Sequence, residues 1–400
     1  MRYFRYTLDD LQKSADKKLF TYISFFAGGG GSSCGYKLAG GDCLFVNEFQ
    51  QVAVDTYLAN WPNTPHICGD IKNVTGKQIM EMTGLKVGEL DIMDGSPPCP
   101  PFSMSGSKKE GWNKEKMAYG MKQQNIEDLT WEMIRIAGEI KPKIILCENV
   151  KGLTMAYAAD HLNRMVSDFE ALGYSTTYKV LNGIHFGVPQ KRQRVFILSV
   201  RNDVLENIEM PWMLLSSLYP EPALDEEPTI EQAIDDLQLN NRNRVEAEEL
   251  CARMKKSAKY KWLKRLPTTP AGSRVQSVGE HVVSPWWEKV IAHRKKWGKS
   301  LPDAKFSFFQ SRRQPYDSAA HSLTEMGLAS LSVHLHPFEN RIFTPLEAAA
   351  LMTLPTDYVN PSEDIFERGM RIGLMVAPLM LAPIAESLYE NVLQKYHALN

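Results

Sequence analysis

The sequence has 400 residues, a length at which two domains are the natural expectation. A hydrophobic share of 44% and a net charge of −1 are typical of an ordinary soluble globular protein, and neither indicates a nucleic-acid partner. The six cysteines form no CxxC pair, which argues against a disulfide scaffold and a zinc site. Residues 1–18 are too polar for a signal peptide, and the apolar stretch 373–385 is shorter than the ~20 residues that span a bilayer. We therefore expect a cytoplasmic protein without membrane contact.

Short apolar runs alternate with helical spacing through the first half of the chain. The runs are residues 22–26, 44–46, 91–93, 143–147 and 194–200, and residues 127–140 have the spacing of a helix. This alternation predicts an α/β fold with a mostly parallel sheet and helices on both faces. Polar residues follow the carboxyl ends of these strands, where ligands bind in open α/β sheets.

The pattern changes after residue 201. Acidic residues dominate 201–250, whereas 251–300 contains 13 lysines and arginines, two glutamates, and interleaved among them one tyrosine and four tryptophans. Such a window suits a surface that contacts phosphates, or else a solvated basic face balanced by the acidic stretch. We predict a second domain over 203–335, and a first domain formed by 1–202 and 336–400. Apolar helical sequence at 345–354 and 372–393 is expected to pack back on the first domain.

A glycine run follows the first predicted strand. Phe26 and Ala27 precede Gly28 to Gly31, with a helix expected from Ser32. Glycines at such a turn let the backbone approach a ligand closely. No Lys-Ser/Thr pair follows, so this is not a P-loop, and Ser33 breaks the GxGxxG pattern of a dehydrogenase.

Two carboxylates follow the next strand ends. Glu48 lies twenty residues after Gly28, where a carboxylate accepts hydrogen bonds from ribose hydroxyls. Asp70, followed by Ile71, is placed to accept from an adenine amino group. The set predicts a cofactor that contains adenosine; the alternative is a tight turn with two surface carboxylates.

Cys99 stands between two pairs of prolines, in the run Pro97-Pro98-Cys99-Pro100-Pro101. Prolines fix φ and remove amide donors, so the loop is rigid around one thiol at a strand end. The polar segment 102–120 after it has the composition of a mobile loop that closes over a substrate. The alternative is a proline-rich turn with an incidental cysteine.

Further charged residues stand at two other strands. Glu148 follows an apolar strand and is a candidate proton donor, or else a loop or capping carboxylate. Arg192 and Arg194 are alternate residues of an extended segment, so their side chains are expected to project together toward a carbonyl, carboxylate or phosphate. The alternative is a surface charge cluster.

Taken together and in this order, these residues resemble the DNA (cytosine-5) methyltransferases of bacterial restriction-modification systems. The resemblance extends over about residues 22–392 and includes a glycine loop, a Pro-Cys loop, a Glu-Asn-Val motif, a Gln-x-Arg-x-Arg motif and a late Arg-Thr-Glu motif. These motifs are matched here by residues 26–31, 95–103, 148–150, 190–194 and 341–355. The family's closing Gln-x-Gly-Asn-x-Val pattern is altered, because Arg371 and Leu374 replace its two amides.

The resemblance implies a Rossmann-like fold that uses S-adenosylmethionine and no metal, with 203–335 as the target-recognition domain. It assigns catalysis to Cys99, Glu148, Arg192 and Arg194. Further site residues follow from it: for the cofactor Phe26, Gly28, Gly30, Glu48, Asp70, Ile71 and Pro97, and for the substrate Ser103, Asn149 and Gln190. The implied product of the cofactor is S-adenosylhomocysteine.

In the implied mechanism, the Cys99 thiolate adds to carbon 6 of a cytosine flipped out of double-stranded DNA, which makes carbon 5 nucleophilic toward the methyl group. Glu148 holds the exocyclic amine and ring nitrogen 3, while Arg194 contacts the ring carbonyl. Arg192 supports the loop or a phosphate. Loss of the proton at carbon 5 then releases Cys99.

The implied setting is a monomer in the cytoplasm of a bacterium, or encoded by a phage, and associated with the nucleoid through DNA. A cognate restriction endonuclease acts separately, or the enzyme is a solitary methylase. A tRNA cytosine-5 methyltransferase is the alternative of the same fold, although the variable region of about 130 residues favours duplex DNA. A non-catalytic methyltransferase-like DNA-binding protein is the other alternative, supported only by the altered closing motif.

Overall fold

The fold was analysed in a computed structural model of the chain. It describes residues 4–98, 129–223, 226–256, 312–324, 334–339 and 341–400, together with the backbone of 116–118 and 121–123. The strands, in chain order, are β1 (Phe20–Phe25), β2 (Gly41–Glu48), β3 (His66–Cys68), β4 (Ile92–Gly95), β5 (Lys116–Ala118), β6 (Met121–Gln123), β7 (Ile144–Val150), β8 (Tyr174–Asn182), β9 (Gln190–Lys191), β10 (Gln193–Arg201), β11 (Arg312–Arg313), β12 (Ala320–His321) and β13 (His334–Leu335).

The α-helices are α1 (Leu8–Ala15), α2 (Gly31–Leu38), α3 (Gln51–Asn60), α4 (Gly76–Thr83), α5 (Leu129–Ile140), α6 (Ala159–Ala171), α7 (Asn202–Asn207), α8 (Ile230–Ile234), α9 (Asn241–Lys256), α10 (Pro345–Leu351), α11 (Ile365–Leu374), α12 (Pro378–Leu388) and α13 (Gln394–Leu399). A π-helical turn, Tyr389–Leu393, joins α12 to α13. Short 3-10 turns occur at Ile71–Asn73, Lys151–Thr154, Ala156–Ala158, Gly183–Phe186, Trp212–Leu218 and Asp235–Leu239.

A seven-stranded sheet in the order β3-β2-β1-β4-β7-β10-β8 forms the centre of the fold. The first five strands of this order are mutually parallel, and β10 lies antiparallel between β7 and β8. This arrangement confirms the predicted mostly parallel sheet. Short two-stranded ladders pair β9 with β12, β11 with β13, and β5 with β6.

Both faces of the sheet are buried, which explains why its strands are nearly continuous apolar runs. Successive side chains of a strand point to opposite faces. Tyr22 and Leu146 accordingly belong to one core cluster, with helices α2 and α12, whereas Ile23 and Cys147 belong to a second cluster, with α5 and α6. Helices therefore cover both faces, as the alternating pattern predicts.

Strands β2 and β7 extend further than the sequence indicates. Glu48 is the last residue of β2, paired with Cys68, and Glu148 and Asn149 lie within β7. The reason is backbone pairing, because the β7–β10 ladder continues to Val150, opposite Arg194. The polar side chains thus project from strands rather than from the loops that follow them.

The C-terminal helical sequence packs back on the sheet, as expected, but not as one helix. Helix α11 ends at Leu374, and α12 begins at Pro378. Proline is tolerated in the first turn of a helix, because the backbone N–H that it lacks would have no hydrogen-bond partner within the helix there. By length and composition alone the stretch Ile365–Leu399 is apolar enough to cross a membrane. Its most apolar window is 67% buried in the fold, as in a core helix.

The predicted second domain, 203–335, lies largely outside the described residues. Its described segments before residue 238 and around residue 320 share a core cluster with the first domain, through Leu215, Ile230, Ile234 and Leu323. Helix α9 packs against α10 and α11. The boundary at 203–335 stays a prediction.

A buried ion pair joins α10 to the preceding segment. The Arg341 guanidinium donates two hydrogen bonds to the Glu347 carboxylate, at 2.7 and 2.8 Å, and both residues are 1% exposed. Asn243 of α9 and the backbone amide of Thr344 also donate to this carboxylate, at 3.0 and 2.9 Å. Burial alone raises the pKa of Glu347, but the charges of Arg341 and His336 lower it to about 2.

The substitution Glu347→Gln is expected to destabilise the fold by about 3 kcal/mol at pH 7, because it removes the buried partner of the Arg341 charge and leaves that charge only the half-exposed Glu339 carboxylate, 2.8 Å away. Since the pKa of Glu347 in the fold lies below its ordinary value of 4.5, its carboxylate stabilises the protein above that pH. This contribution is lost as the pH falls toward 2. Urea unfolding from pH 7 to pH 3 should show the difference from the wild type shrinking below about pH 4.5.

A matched control is Asp9→Asn, which removes the exposed ion pair between Lys13 and Asp9 and should change the unfolding free energy by less than about 0.5 kcal/mol. A loss in Glu347→Gln no larger than in this control would contradict the prediction. So would a difference from the wild type that is constant across the pH range.

Candidate active site

A cavity of about 300 Å³ lies at the carboxyl edge of the parallel strands, bordered by the ends of β1, β2, β3 and β4. Its floor and walls come from the glycine loop, the residues after β2 and β4, and the segment that ends α11. The lining residues are Phe26 to Gly29, Gly31, Ser32, Asn47 to Gln50, Gly69 to Lys72, Ser96, Pro98, Leu129, Arg371 and Leu374 to Val376. This is the edge at which the sequence predicts ligand binding.

The glycine loop is held close to the C-terminal segment. A Cβ atom at Gly29 would lie 2.2 Å from the Met375 methyl carbon, and one at Gly31 would lie 2.3 Å from the Val376 carbonyl oxygen. Gly28 has a φ of 54°, in the left-handed region that favours glycine. The loop thus needs glycine both for close packing and for its backbone path.

Not every predicted member of the loop reaches the cavity. Phe26 and Gly28 line it, but Gly30 caps α2 and faces away, toward Trp61. A Cβ at Gly30 would lie 2.2 Å from the Trp61 ring. Gly30 therefore packs against Trp61 and does not line the cavity.

Glu48 is held between the glycine loop and the segment after β2. One carboxylate oxygen accepts a hydrogen bond from the Gly28 amide and the other from the Gln50 amide, each at 2.9 Å. Across the cavity, the Asp70 carboxylate accepts from the Lys72 amide at 3.0 Å, and Ile71 is 2% exposed. The structure therefore brings Glu48, Asp70 and Ile71 to the same cavity as Gly28.

The described part of the Pro-Cys loop borders this cavity. Ser96 and Pro98 line it, and the Ser96 hydroxyl is buried without a hydrogen-bond partner among the described residues. The Asn149 side-chain amide donates to the Pro97 carbonyl oxygen at 3.2 Å. Cys99 and Ser103 lie outside the described residues, as does most of the segment 102–120. Within that segment the backbone of β5 is described, and it pairs antiparallel with β6, which begins directly after the segment at Met121.

Glu148 and Arg194 form an ion pair beside that loop. The Arg194 Nε lies 2.9 Å from a Glu148 carboxylate oxygen, and both side chains are mostly buried, at 14% and 11% exposure. Glu148 is opposite Phe196 in the β7–β10 ladder, so Arg194 is its diagonal neighbour on the same face. Burial lowers the pKa of Arg194, and the charge of Glu148 opposes that shift.

Arg192 and Gln190 are buried in a different setting. The Arg192 guanidinium donates to the carbonyl oxygens of Met375 at 2.6 Å and Leu323 at 2.9 Å. The Gln190 side chain donates to the Leu351 carbonyl and accepts from the Leu323 amide. Both residues thus tie the C-terminal segment to the region around residue 323, and Arg192 does not share the partner of Arg194. The contacts with substrate expected for Arg192 and Gln190 stay predictions.

Several residues of this edge were not predicted from the sequence. Asp94 is buried in β4 and accepts hydrogen bonds from the Ser24 and Tyr36 hydroxyls, at 2.6 and 3.2 Å. Burial, opposed by these hydrogen bonds and reinforced by the charge of Glu148, raises the pKa of Asp94 to about 7. Phe49 and Gln50 also line the cavity, and their position directly after Glu48 was the available signal.

Two other expectations concern metal and DNA. Among the described residues, no group of three His, Cys, Asp or Glu side chains is placed to hold a metal ion. The basic window 251–300 is described only as far as residue 256, so its interpretation stays open.

The chain is similar to known DNA methyltransferases in sequence. It is 34% identical over 192 residues to the Type II methyltransferase M.SacI of Streptomyces achromogenes, a match over 45% of this chain and 47% of that protein. It is 26% identical over 402 residues to M.DdeI of Desulfomicrobium norvegicum, covering 92% of this chain and 89% of that one. The chain thus spans about half the length of M.SacI and most of the length of M.DdeI.

Solved structures share its fold. An E. coli prophage-encoded protein superposes with a TM-score of 0.61 at 19% identity, over 94% of this chain and 99% of that one. A mutant of DNMT2 from Spodoptera frugiperda gives a TM-score of 0.54 at 16% identity, over 92% and 99%. The sequence model of the C-5 cytosine-specific DNA methylases matches residues 20–390, from β1 to the turn after α12. With this match over nearly the whole chain, the protein belongs to the C-5 cytosine-specific DNA methylase family.

Proposed function

We propose that this protein transfers a methyl group from S-adenosylmethionine to carbon 5 of a cytosine flipped out of a specific sequence in double-stranded DNA. The observation that carries the proposal is one continuous edge of the sheet. Ser96 and Pro98 line the cavity, and Asn149 donates a hydrogen bond to the carbonyl oxygen of Pro97, which lies between them in the chain. The residue before Asn149 is Glu148, which forms an ion pair with Arg194. Cofactor residues and base-binding residues are thus adjacent.

The cavity fits an adenosine-containing cofactor by its shape and by its donor set. Its volume of about 300 Å³ lies in the range of small-ligand sites, and no described atom lies within 4 Å of where a Cβ at Gly28 would be, so the loop backbone is open to a ligand there. In this proposal Glu48 accepts hydrogen bonds from the ribose hydroxyls and Asp70 accepts one from the adenine amino group. When bound, S-adenosylmethionine supplies a methyl group activated by its positive sulfur.

The protein's own residues prepare the cytosine. The Cys99 thiolate forms a bond to carbon 6, which places negative charge on the ring and makes carbon 5 nucleophilic. Glu148 shares a proton with ring nitrogen 3, which neutralises this charge, and accepts a hydrogen bond from the exocyclic amine, while the adjacent Arg194 charge keeps it oriented. Once carbon 5 carries its methyl group, the proton at that carbon passes to a base from the solvent. The electron pair of that bond restores the ring double bond and expels the Cys99 thiolate. Asn149 holds the loop that leads to Cys99 through the Pro97 carbonyl.

The setting follows from the family and its bacterial relatives. We place the protein in the cytoplasm, on duplex DNA, with the region 203–335 reading the target sequence. We further propose that the protein acts as a monomer, with or without a separate cognate endonuclease. The region's 13 lysines and arginines between residues 251 and 300 would supply phosphate contacts.

Bisulfite sequencing of DNA from cells that express the protein tests the whole proposal. Methylated cytosines at one recurring sequence would support it and would give the recognition site. Transfer of radioactive methyl groups by the purified protein to tRNA but not to duplex DNA would favour the tRNA alternative. Absence of transfer to either, with DNA binding retained, would favour the non-catalytic one.

The substitution Cys99→Ser is expected to abolish methyl transfer, lowering kcat by roughly a thousandfold or more, because serine is a far weaker nucleophile at neutral pH. Binding of duplex DNA should be retained. Methyl transfer from radiolabelled S-adenosylmethionine and a gel-shift assay measure the two properties. Cys251→Ser, on helix α9, is the matched control and should retain turnover. A Cys99→Ser variant that turns over like this control would refute the mechanism.

The substitution Glu148→Gln is expected to lower kcat by about a hundredfold or more, because the amide cannot hold the charge or proton at ring nitrogen 3. The cavity is untouched, so the dissociation constant for S-adenosylhomocysteine should change by less than about twofold. Steady-state kinetics and calorimetry measure these quantities. Glu132→Gln removes another partly buried carboxylate, paired with Arg135 at 2.8 Å, and serves as the control. Equal kinetics in both variants would exclude Glu148 from catalysis.

A further inference from the structure

Helix α11 carries the two residues at which this chain departs from the family's closing pattern. Arg371 and Leu374 are three residues apart, on one face of the helix, and both line the cavity. Leu374 has no hydrogen-bonding group, so any polar link across this wall must come from elsewhere. Arg371 is only 6% exposed, and its guanidinium is the cation that α11 contributes to the cavity lining.

The Arg371 side chain is linked to Glu48 by a series of hydrogen bonds. Its Nε donates to a Glu367 carboxylate oxygen at 2.6 Å, which fixes the guanidinium on its own helix. Its Nη1 donates to the side-chain oxygen of Gln50. The backbone N–H of Gln50 in turn donates to the Glu48 carboxylate at 2.9 Å, and the other oxygen of that carboxylate accepts from the backbone N–H of Gly28.

This series joins elements that are far apart in the chain. Helix α11 lies more than 300 residues after β2, yet Arg371 contacts the segment that begins at the end of that strand. A planar guanidinium bonded to Glu367 and Gln50 at once holds both in a fixed geometry, which a single point charge does not. Residues 48–50 are thereby held against the cavity wall.

We propose that Arg371 is a positioning residue for the ribose of the cofactor, acting through Gln50 on Glu48. The inference rests on the proposed function, because it takes the cavity as the S-adenosylmethionine site. Arg371 takes over the polar link of this wall, while Leu374 contributes only apolar surface. Arg371 therefore affects the binding of the adenosine part of the ligand, which both the cofactor and simpler adenosine thioethers contain.

The test is calorimetric binding to Arg371→Met with two ligands, S-adenosylhomocysteine and 5′-methylthioadenosine, which lacks the amino-acid part. Both dissociation constants should rise about tenfold, since the same held carboxylate serves both ligands. In turnover assays KM for the methyl donor should rise by a similar factor while kcat is retained. Arg371→Lys keeps the positive charge on a single donor nitrogen and should bind both ligands more tightly than Arg371→Met does.

Arg368→Met is the matched control on the same helix. Arg368 pairs with Glu246 and Glu249, at 3.1 and 3.2 Å, and does not line the cavity. Its loss should lower stability without changing either dissociation constant. Equal losses of affinity in Arg368→Met and Arg371→Met would reduce Arg371 to a helix-stabilising residue and overturn the inference.

The pattern across the ligands distinguishes the remaining outcomes. Unchanged binding of both ligands by Arg371→Met overturns the inference and leaves the proposed function intact. Weakened binding of S-adenosylhomocysteine alone overturns it as well, because Arg371 would then recognise the amino-acid part. If the wild-type protein binds neither ligand, the proposed function itself fails.

Discussion

The parallel pairing of β1 with β2 on one side and β4 on the other is the constraint on which the site depends. Phe25, the last residue of β1, is aligned with Asn47 on β2 and with Gly95 on β4. Because parallel strands run in the same direction, their carboxyl ends coincide, and whatever follows each strand meets at one edge. The glycine loop, Glu48 and Ser96 are brought together by this register alone.

The second requirement is that the C-terminal segment closes over that edge. Residues 374–376 pack on the glycine loop so tightly that side chains at Gly29 or Gly31 would collide with them. Arg192 holds this segment through the Met375 carbonyl, and Arg371 holds it to the residues after β2. The cavity is therefore formed jointly by the loops of residues 26–129 and by residues 371–376 near the C-terminus, and neither part forms its walls alone.

Much of the architecture could be predicted from the sequence, because burial on both faces leaves a clear mark on a strand. The apolar runs at 22–26 and 143–147 identified β1 and β7, and polar residues near their ends identified the edge where the cavity lies. Strand ends were less predictable. Glu148 belongs to β7 because pairing with β10 continues past it, and an antiparallel partner some fifty residues away leaves no local mark.

Side-chain roles divided in the same way. Residue types and their order identified the family and predicted Glu48 and Asp70 for the cofactor and Glu148 and Arg194 for catalysis, since these predictions depend on chemistry that a motif carries. Only the tertiary structure decided that Arg192 and Gln190 bond to distant backbone, that Gly30 packs on Trp61, and that Arg371 reaches Gln50. The physical reason is that a hydrogen bond's partner is set by which surfaces the fold brings within about 3 Å, and local sequence does not contain that distance.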